Sequence, residues 1–119
     1  MSEFVDYLQE VFVSFGRIHA RKMFSGYGLY YDGVMFGLVV DDVLYLKADA
    51  SIAYHFEERG LVQFSYQRKD KQGNESKLVK LSYYQAPADI YEDSAEAARW
   101  AKKSFEVAFR NQRKKQRNQ

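Results

Sequence analysis

The stretch IHARKMFSGYGLYYDGVMFGLVVDDVLYLK, residues 18–47, constrains the fold more than any other part of the chain. Its Tyr, Phe, Val and Leu residues alternate with polar ones or form short apolar runs, the pattern of half-buried and buried strands. The runs are interrupted at Asp32-Gly33 and at Asp41-Asp42. Asp-Gly between apolar runs favours a type I′ turn, because both central residues need positive φ, which Gly adopts freely and Asp less easily. The stretch therefore predicts three antiparallel strands over about 23–31, 34–40 and 43–47. Three of the seven glycines fall within residues 26–33. They do not form a dinucleotide-binding loop, which needs its glycines to open a helix so that backbone N–H groups meet a pyrophosphate; here Leu29-Tyr30-Tyr31 and a hairpin follow. Gly26-Tyr27-Gly28 fits the centre of the RNA-recognition signature, but Ser25 replaces its leading base and Asp32 ends it. The expectation is structural: Gly26 and Gly28 permit a bulge or a close backbone approach, and Gly33 closes a turn.

Before this meander, Phe4, Val5, Leu8, Val11, Phe12 and Phe15 share one face of a helix, with Ser2 placed to cap its start and Gly16 to end it. After it, Asp49 suits the N-cap of a short helix carrying Ile52 and Phe56, stopped at Gly60. LVQFSYQRK and KLVKLSYYQ read as two more strands joined by the exposed loop DKQGNES, and Pro87 ends the sheet. Asp93 and Glu96 resemble a capping box at the start of a last helix, in which Ala98, Ala101, Phe105, Ala108 and Phe109 recur at three- and four-residue intervals. The order is α-βββ-α-ββ-α: a two-layer α+β domain with a five-stranded antiparallel sheet and its helices on one side. Residues 1–110 form the domain, and residues 111–119 a basic tail expected to fray.

With 17% aromatic residues and a single Pro, 119 residues make one packed globule rather than a disordered chain. No cysteine is present, so neither disulfides nor thiolate chemistry enter. MSEFVDYLQE lacks the basic and apolar regions of a signal peptide, and no run approaches the ~18 apolar residues of a membrane span. The expected location is the cytoplasm, without a membrane partner. The net charge of +2 is unevenly spread: residues 99–119 carry eight basic residues against Glu106, a balance of +7, which leaves −5 for the rest. A basic surface is thus expected at the C-terminus, with Arg110, Arg113, Lys114, Lys115 and Arg117 as candidate phosphate contacts. No base-reading motif accompanies them, so contact with nucleic acid should be weak and non-specific, with dissociation constants of about 10⁻⁴–10⁻⁶ M.

Catalytic constellations are scarce. Asp41-Asp42 and Glu57-Glu58 are adjacent pairs whose side chains diverge, and His19 and His55 lack the further ligands a metal needs. No catalytic residue, cofactor or metal is expected. Tyr27, Tyr30, Tyr45, Tyr66 and Tyr83 lie on neighbouring strands, as core and rim rings or as an exposed aromatic face for a partner or a stacked base. On the last helix, Trp100, Ala101, Ser104, Phe105, Val107, Ala108 and Phe109 fill an apolar arc wider than one sheet contact needs. That width predicts a two-fold homodimer using Trp100, Phe105, Val107 and Phe109.

RKMFSGYGLYYDGVMFGLVVDDVLYLKAD, FSYQRK, LSYYQAPADIYED and ARWAKKSF, in that order from about Arg17 to Phe105, resemble the N-terminal domain of the TfoX/Sxy family of bacterial competence regulators. The sequence reads as that domain standing alone. The resemblance implies a two-layer fold like that of secretion chaperones. It also implies a non-enzymatic regulator of DNA transformation competence, promoting transcription with the cyclic-AMP receptor protein or RNA polymerase. It carries no catalytic signature. The alternative is a ligand-binding or chaperone-like interaction module that shares only the fold.

Overall fold

The computed structural model describes the backbone of residues 2–117 and the side chains of residues 2–116. Helix α1, Glu3–Val11, starts where the Ser2 hydroxyl accepts a hydrogen bond from the Val5 N–H at 3.1 Å. It buries Val5, Leu8 and Val11, each contributing roughly 1.5–3 kcal/mol by leaving water. The helix stops at Val11, short of the Phe15 that its apolar spacing reaches. A turn carries the chain on, with the N–H groups of Phe15 and Gly16 donating to the Phe12 carbonyl. That turn sets Phe15 against Phe36 and Tyr31 at ring distances of 5.3 and 4.6 Å.

The sheet has six antiparallel strands, not the expected five: β1 His19–Met23, β2 Gly26–Tyr31, β3 Val34–Val40, β4 Val43–Lys47, β5 Gln63–Lys69 and β6 Ser76–Gln85, ordered β1-β2-β3-β4-β6-β5. The extra strand arises at Phe24-Ser25. There the backbone takes φ 44° at Phe24 and folds Met23 back beside Gly26, so the expected strand of about 23–31 starts at Gly26 and His19–Met23, ahead of it, pairs with it as an additional strand. The two turns expected further on do form, with positive φ at Asp32, Gly33, Asp41 and Asp42. Gly26 makes the expected close approach: a Cβ there would collide with the Val39 carbonyl oxygen. The bulge lies elsewhere. Leu29 pairs with Gly37 and Tyr30 with Met35, leaving Phe36 unpaired and turned into the core, where it meets Phe12 edge-on at 5.7 Å.

Helix α2, Ala53–Glu57, a 3₁₀ turn over Ala88–Tyr91 and helix α3, Ser94–Arg117, complete the chain. The Asp93 carboxylate caps α3, accepting from the N–H groups of Ala95 and Glu96. Glu96 does not return the capping-box bond; it binds Arg99 and the Trp100 indole N–H instead. Together α1, α2 and α3 cover one face of the sheet around Leu29, Phe36, Val39, Leu44, Leu46 and Tyr84. The small side chains Ala97, Ala101 and Ser104 are fully buried, which lets α3 sit close to the strands. The helix continues through residues 111–117, which the sequence suggested as a tail, and residues 112–116 are exposed. Residues 118 and 119 lie outside the described residues.

Candidate functional site

Among the described residues, no helix covers the other face of the sheet. Strand alternation decides what stands there. Ala20, Tyr27, Leu29 and Tyr31 turn toward the helices, so Arg21 and Met23 of β1 and Tyr30 of β2 turn to the open side. By the same register Met35, Leu38 and Val40 of β3, Tyr45 and Lys47 of β4, and Leu81 and Tyr83 of β6 join them. Of the five tyrosines singled out on the strands, Tyr27 packs on the core, while Tyr30, Tyr45, Tyr66 and Tyr83 belong to this open face.

Two cations lie over aromatic rings here: the Arg21 guanidinium is 5.2 Å from the centre of Tyr30, and the Lys47 ammonium 5.2 Å from that of Tyr83. Partial burial pushes Lys47 below its ordinary pKa, with Asp49 pulling in the opposite direction. Burial, reinforced by Tyr30, pushes the Tyr83 hydroxyl up to about 12. Tyr83 thus keeps its proton, and stays neutral, to higher pH than in water, whereas Lys47 gives up its proton at lower pH than in water. Beside them is a groove of ≈ 410 Å³. Leu38 and Val40 contribute from the centre of the sheet, Met23, Phe24, Ser25 and Gly26 from the β1–β2 turn, and Phe64, Tyr66 and Leu81 from the β5–β6 hairpin. Tyr45 braces Phe64 edge-on at 5.0 Å. Phe24 is 98% exposed and Tyr66 43% exposed.

None of the six strands contains an Asp or a Glu, whereas Arg21, Lys22, Lys47, Arg68, Lys69, Lys77 and Lys80 are all strand residues. The charge count by chain segment pointed only to the C-terminus, because acidic turns and α1 masked the basic strands. Sorting charge by element rather than by segment would have found them.

The four α3 residues expected at a dimer interface fare differently. Trp100 is 3% exposed and Val107 1% exposed, both enclosed by their own chain. The Trp100 ring meets Phe56 at 5.0 Å, with the Arg59 and Arg99 guanidinium groups over it. Phe105 lies half-buried between Tyr31 and Phe15. Only Phe109, at 40%, is exposed. The wide apolar arc of α3 is thus filled largely from within, by Phe15 of the turn after α1, by Phe56 of α2 and by the sheet.

Of the C-terminal basic residues, Arg110 donates to the Ser51 hydroxyl at 3.2 Å, and Arg113 lies 5.8 Å from the centre of the Phe109 ring. Lys114 and Lys115 face solvent. The Arg117 side chain lies outside the described residues. Among the described residues the salt bridges are Arg59–Asp89 and Arg99–Glu96, so Arg113, Lys114 and Lys115 have no carboxylate partner. No group of three His, Cys, Asp or Glu residues converges as a metal site among the described residues, and no helix there is long and apolar enough to cross a membrane.

The family model for the TfoX N-terminal domain matches residues 10–108. The chain belongs to the TfoX N-terminal domain family. It is similar to DNA transformation protein TfoX1 of Aliivibrio fischeri, 36% identical over 69 residues covering 55% of this chain and 33% of that protein. It is also similar to Protein Sxy of Escherichia coli, 27% identical over 102 residues covering 86% of this chain and 46% of that protein. The chain therefore spans less than half the length of either relative. The motifs quoted from Arg17 to Phe105 fall inside the matched TfoX region, and the Phe24–Tyr66 groove and α3 as far as Ala108 lie within it too.

Proposed function

We propose that this TfoX-family chain is a non-enzymatic, cytoplasmic regulator of DNA transformation competence that acts on transcription through protein contacts. The observation that carries the reading is the family match across residues 10–108, together with a relative named a DNA transformation protein. The cyclic-AMP receptor protein and RNA polymerase are the proposed partners. Self-association through α3 is part of the reading, and it would centre on Phe109 with the outer edge of Phe105, since Trp100 and Val107 are occupied within the chain. The solvated end of α3 from Arg113 to Lys115 would add weak, sequence-independent attraction to DNA near a promoter.

Sedimentation of the purified chain with purified cyclic-AMP receptor protein, and separately with RNA polymerase, of the same host tests the reading. Co-sedimentation with at least one of them is expected. Independent sedimentation from both at about 50 µM, a concentration that reveals even weak contacts, would overturn it.

A further inference from the structure

We propose that the open face of the sheet binds single-stranded nucleic acid, holding a base in the groove between Phe24 and Tyr66 and the neighbouring phosphates on Arg68 and Lys77.

Phe24 is the first observation. A large aromatic side chain at φ 44° on a residue that is 98% exposed combines backbone strain with an unfavourable contact with water. Neither helps the fold, and the turn would accept Asn or Gly at lower cost. The ring stands on one side of the ≈ 410 Å³ groove, with the partly exposed Tyr66 on the other. Two accessible rings flanking an apolar slot suit a flat, unstacked base, which is what a single strand offers and a duplex does not.

The charges are the second, independent observation. Beyond Tyr66 the β5–β6 hairpin runs out as a two-stranded ribbon, and on the same face Arg68 pairs directly across from Lys77. Like charges directly opposite each other destabilise a ladder, and neither forms a salt bridge among the described residues. An anion between them would remove the repulsion. Lys69 and Lys71 lie at the end of the ribbon. Of the two acidic residues there, Asp70 is engaged in the turn, its carboxylate accepting from the Asn74 N–H at 2.8 Å, and Glu75 borders the same surface as a single further carboxylate among Arg68, Lys69, Lys71 and Lys77. Asp41 and Asp42 adjoin Val40 at the opposite end of the groove and do not line it. A polyanion would therefore run from the groove toward Arg68 and Lys77, away from those aspartates. Arg21 and Lys47, stacked on Tyr30 and Tyr83, continue the same aromatic and cationic surface across the sheet.

Fluorescence anisotropy of the full chain with labelled oligo(dT) and oligo(rU) of about 20 nucleotides, and with a duplex of equal length, tests the proposal. Single strands should bind more tightly than duplex; the two single-strand arms report whether DNA or RNA is preferred. With four cations meeting phosphates, log affinity should fall with log salt at a slope of about −3. Arg68→Glu with Lys77→Glu should weaken binding at least ~10-fold and reduce the slope by about 1.4. Phe24→Ala and Tyr66→Ala should each weaken it roughly 5- to 100-fold, the first at unchanged thermal stability because the Phe24 ring is 98% exposed, the second with a small loss because Tyr66 lies partly against Phe64. Replacing Arg110, Arg113, Lys114, Lys115 and Arg117 by Gln should leave most of the single-strand preference. The proposal is overturned by absence of binding at about 100 µM protein in low salt, by equal affinity for duplex and single strand, or by binding that survives the hairpin and aromatic changes but vanishes with the five C-terminal ones. Because it concerns an oligonucleotide and purified protein alone, its failure would leave the protein-partner reading untouched.

Discussion

Replacing Gly26 by Ala adds one methyl group where the structure has no room for it. The new Cβ would overlap the carbonyl oxygen of Val39, a backbone atom of the sheet's third strand, which cannot rotate away as a side chain would. Relief requires parting β2 from β3 at the Gly26–Val40 end of their ladder. Overpacking in a well-filled site costs about 1–3 kcal/mol, and the loss of one or two strand hydrogen bonds about 1 kcal/mol each. The upper end, about 3 kcal/mol, applies because the obstacle is main chain. At about 4 °C per kcal/mol for a domain of this size, the melting temperature should drop by roughly 12 °C. Gly37→Ala is the internal control: its Cβ would meet Leu29 and the Tyr45 carbonyl at 3.4 Å, ordinary contact, so the change should lie within about 1 kcal/mol of the parent and lean toward stabilisation. Thermal unfolding followed by circular dichroism, with urea midpoints alongside, measures both. A Gly26→Ala protein as stable as the parent, or a Gly37→Ala protein equally damaged, would refute the reasoning.

Asp42→Gly should raise stability by about 0.5–1 kcal/mol, because Asp41 and Asp42 both hold positive φ in the β3–β4 turn and Gly adopts that conformation without strain; a lowered urea midpoint would contradict it. Trp100→Ala should cost about 3–5 kcal/mol, since the indole is enclosed by Phe56, two guanidinium groups and Glu96. Phe109→Ala, at an exposed position, should cost about 1 kcal/mol or less and instead lower any self-association seen in ultracentrifugation. Alkaline pH should destabilise the fold. Burial raises the Tyr83 and Tyr91 hydroxyls from 10.0 to about 12, so the neutral forms contribute stability that is full below pH 10 and lost as the pH rises toward 12. Urea midpoints across that range should fall, and should fall less steeply in a Tyr83→Phe, Tyr91→Phe protein.

Local backbone chemistry made much of this fold legible in the sequence. Asp32-Gly33 and Asp41-Asp42 announce their turns because few other residues accept positive φ, and Ser2 and Asp93 announce their helices because their oxygens satisfy otherwise unpaired N–H groups. The β1–β2 turn was hidden because Phe24-Ser25 carries none of that chemistry; a strained aromatic there reads as strand. Alternation alone puts Tyr27 and Tyr30 on opposite faces of β2, but which face the helices cover, and hence that Tyr27 packs on the core while Tyr30, Tyr45, Tyr66 and Tyr83 do not, was not legible until the layers and register were known. The apolar arc of α3 was legible, but what fills it was not. Its contacts with Phe15, Tyr31 and Phe56 come from residues 44 to 90 positions away along the chain, and a helical wheel cannot distinguish them from a second copy.

The central claim, that the chain promotes competence through transcription, is tested most directly by transcript levels of DNA-uptake genes in the host with its own copy deleted and then restored. The account predicts that these transcripts fall on deletion and return when the chain of residues 1–119 is supplied. Transcript levels that stay the same in the deleted and restored strains would contradict it.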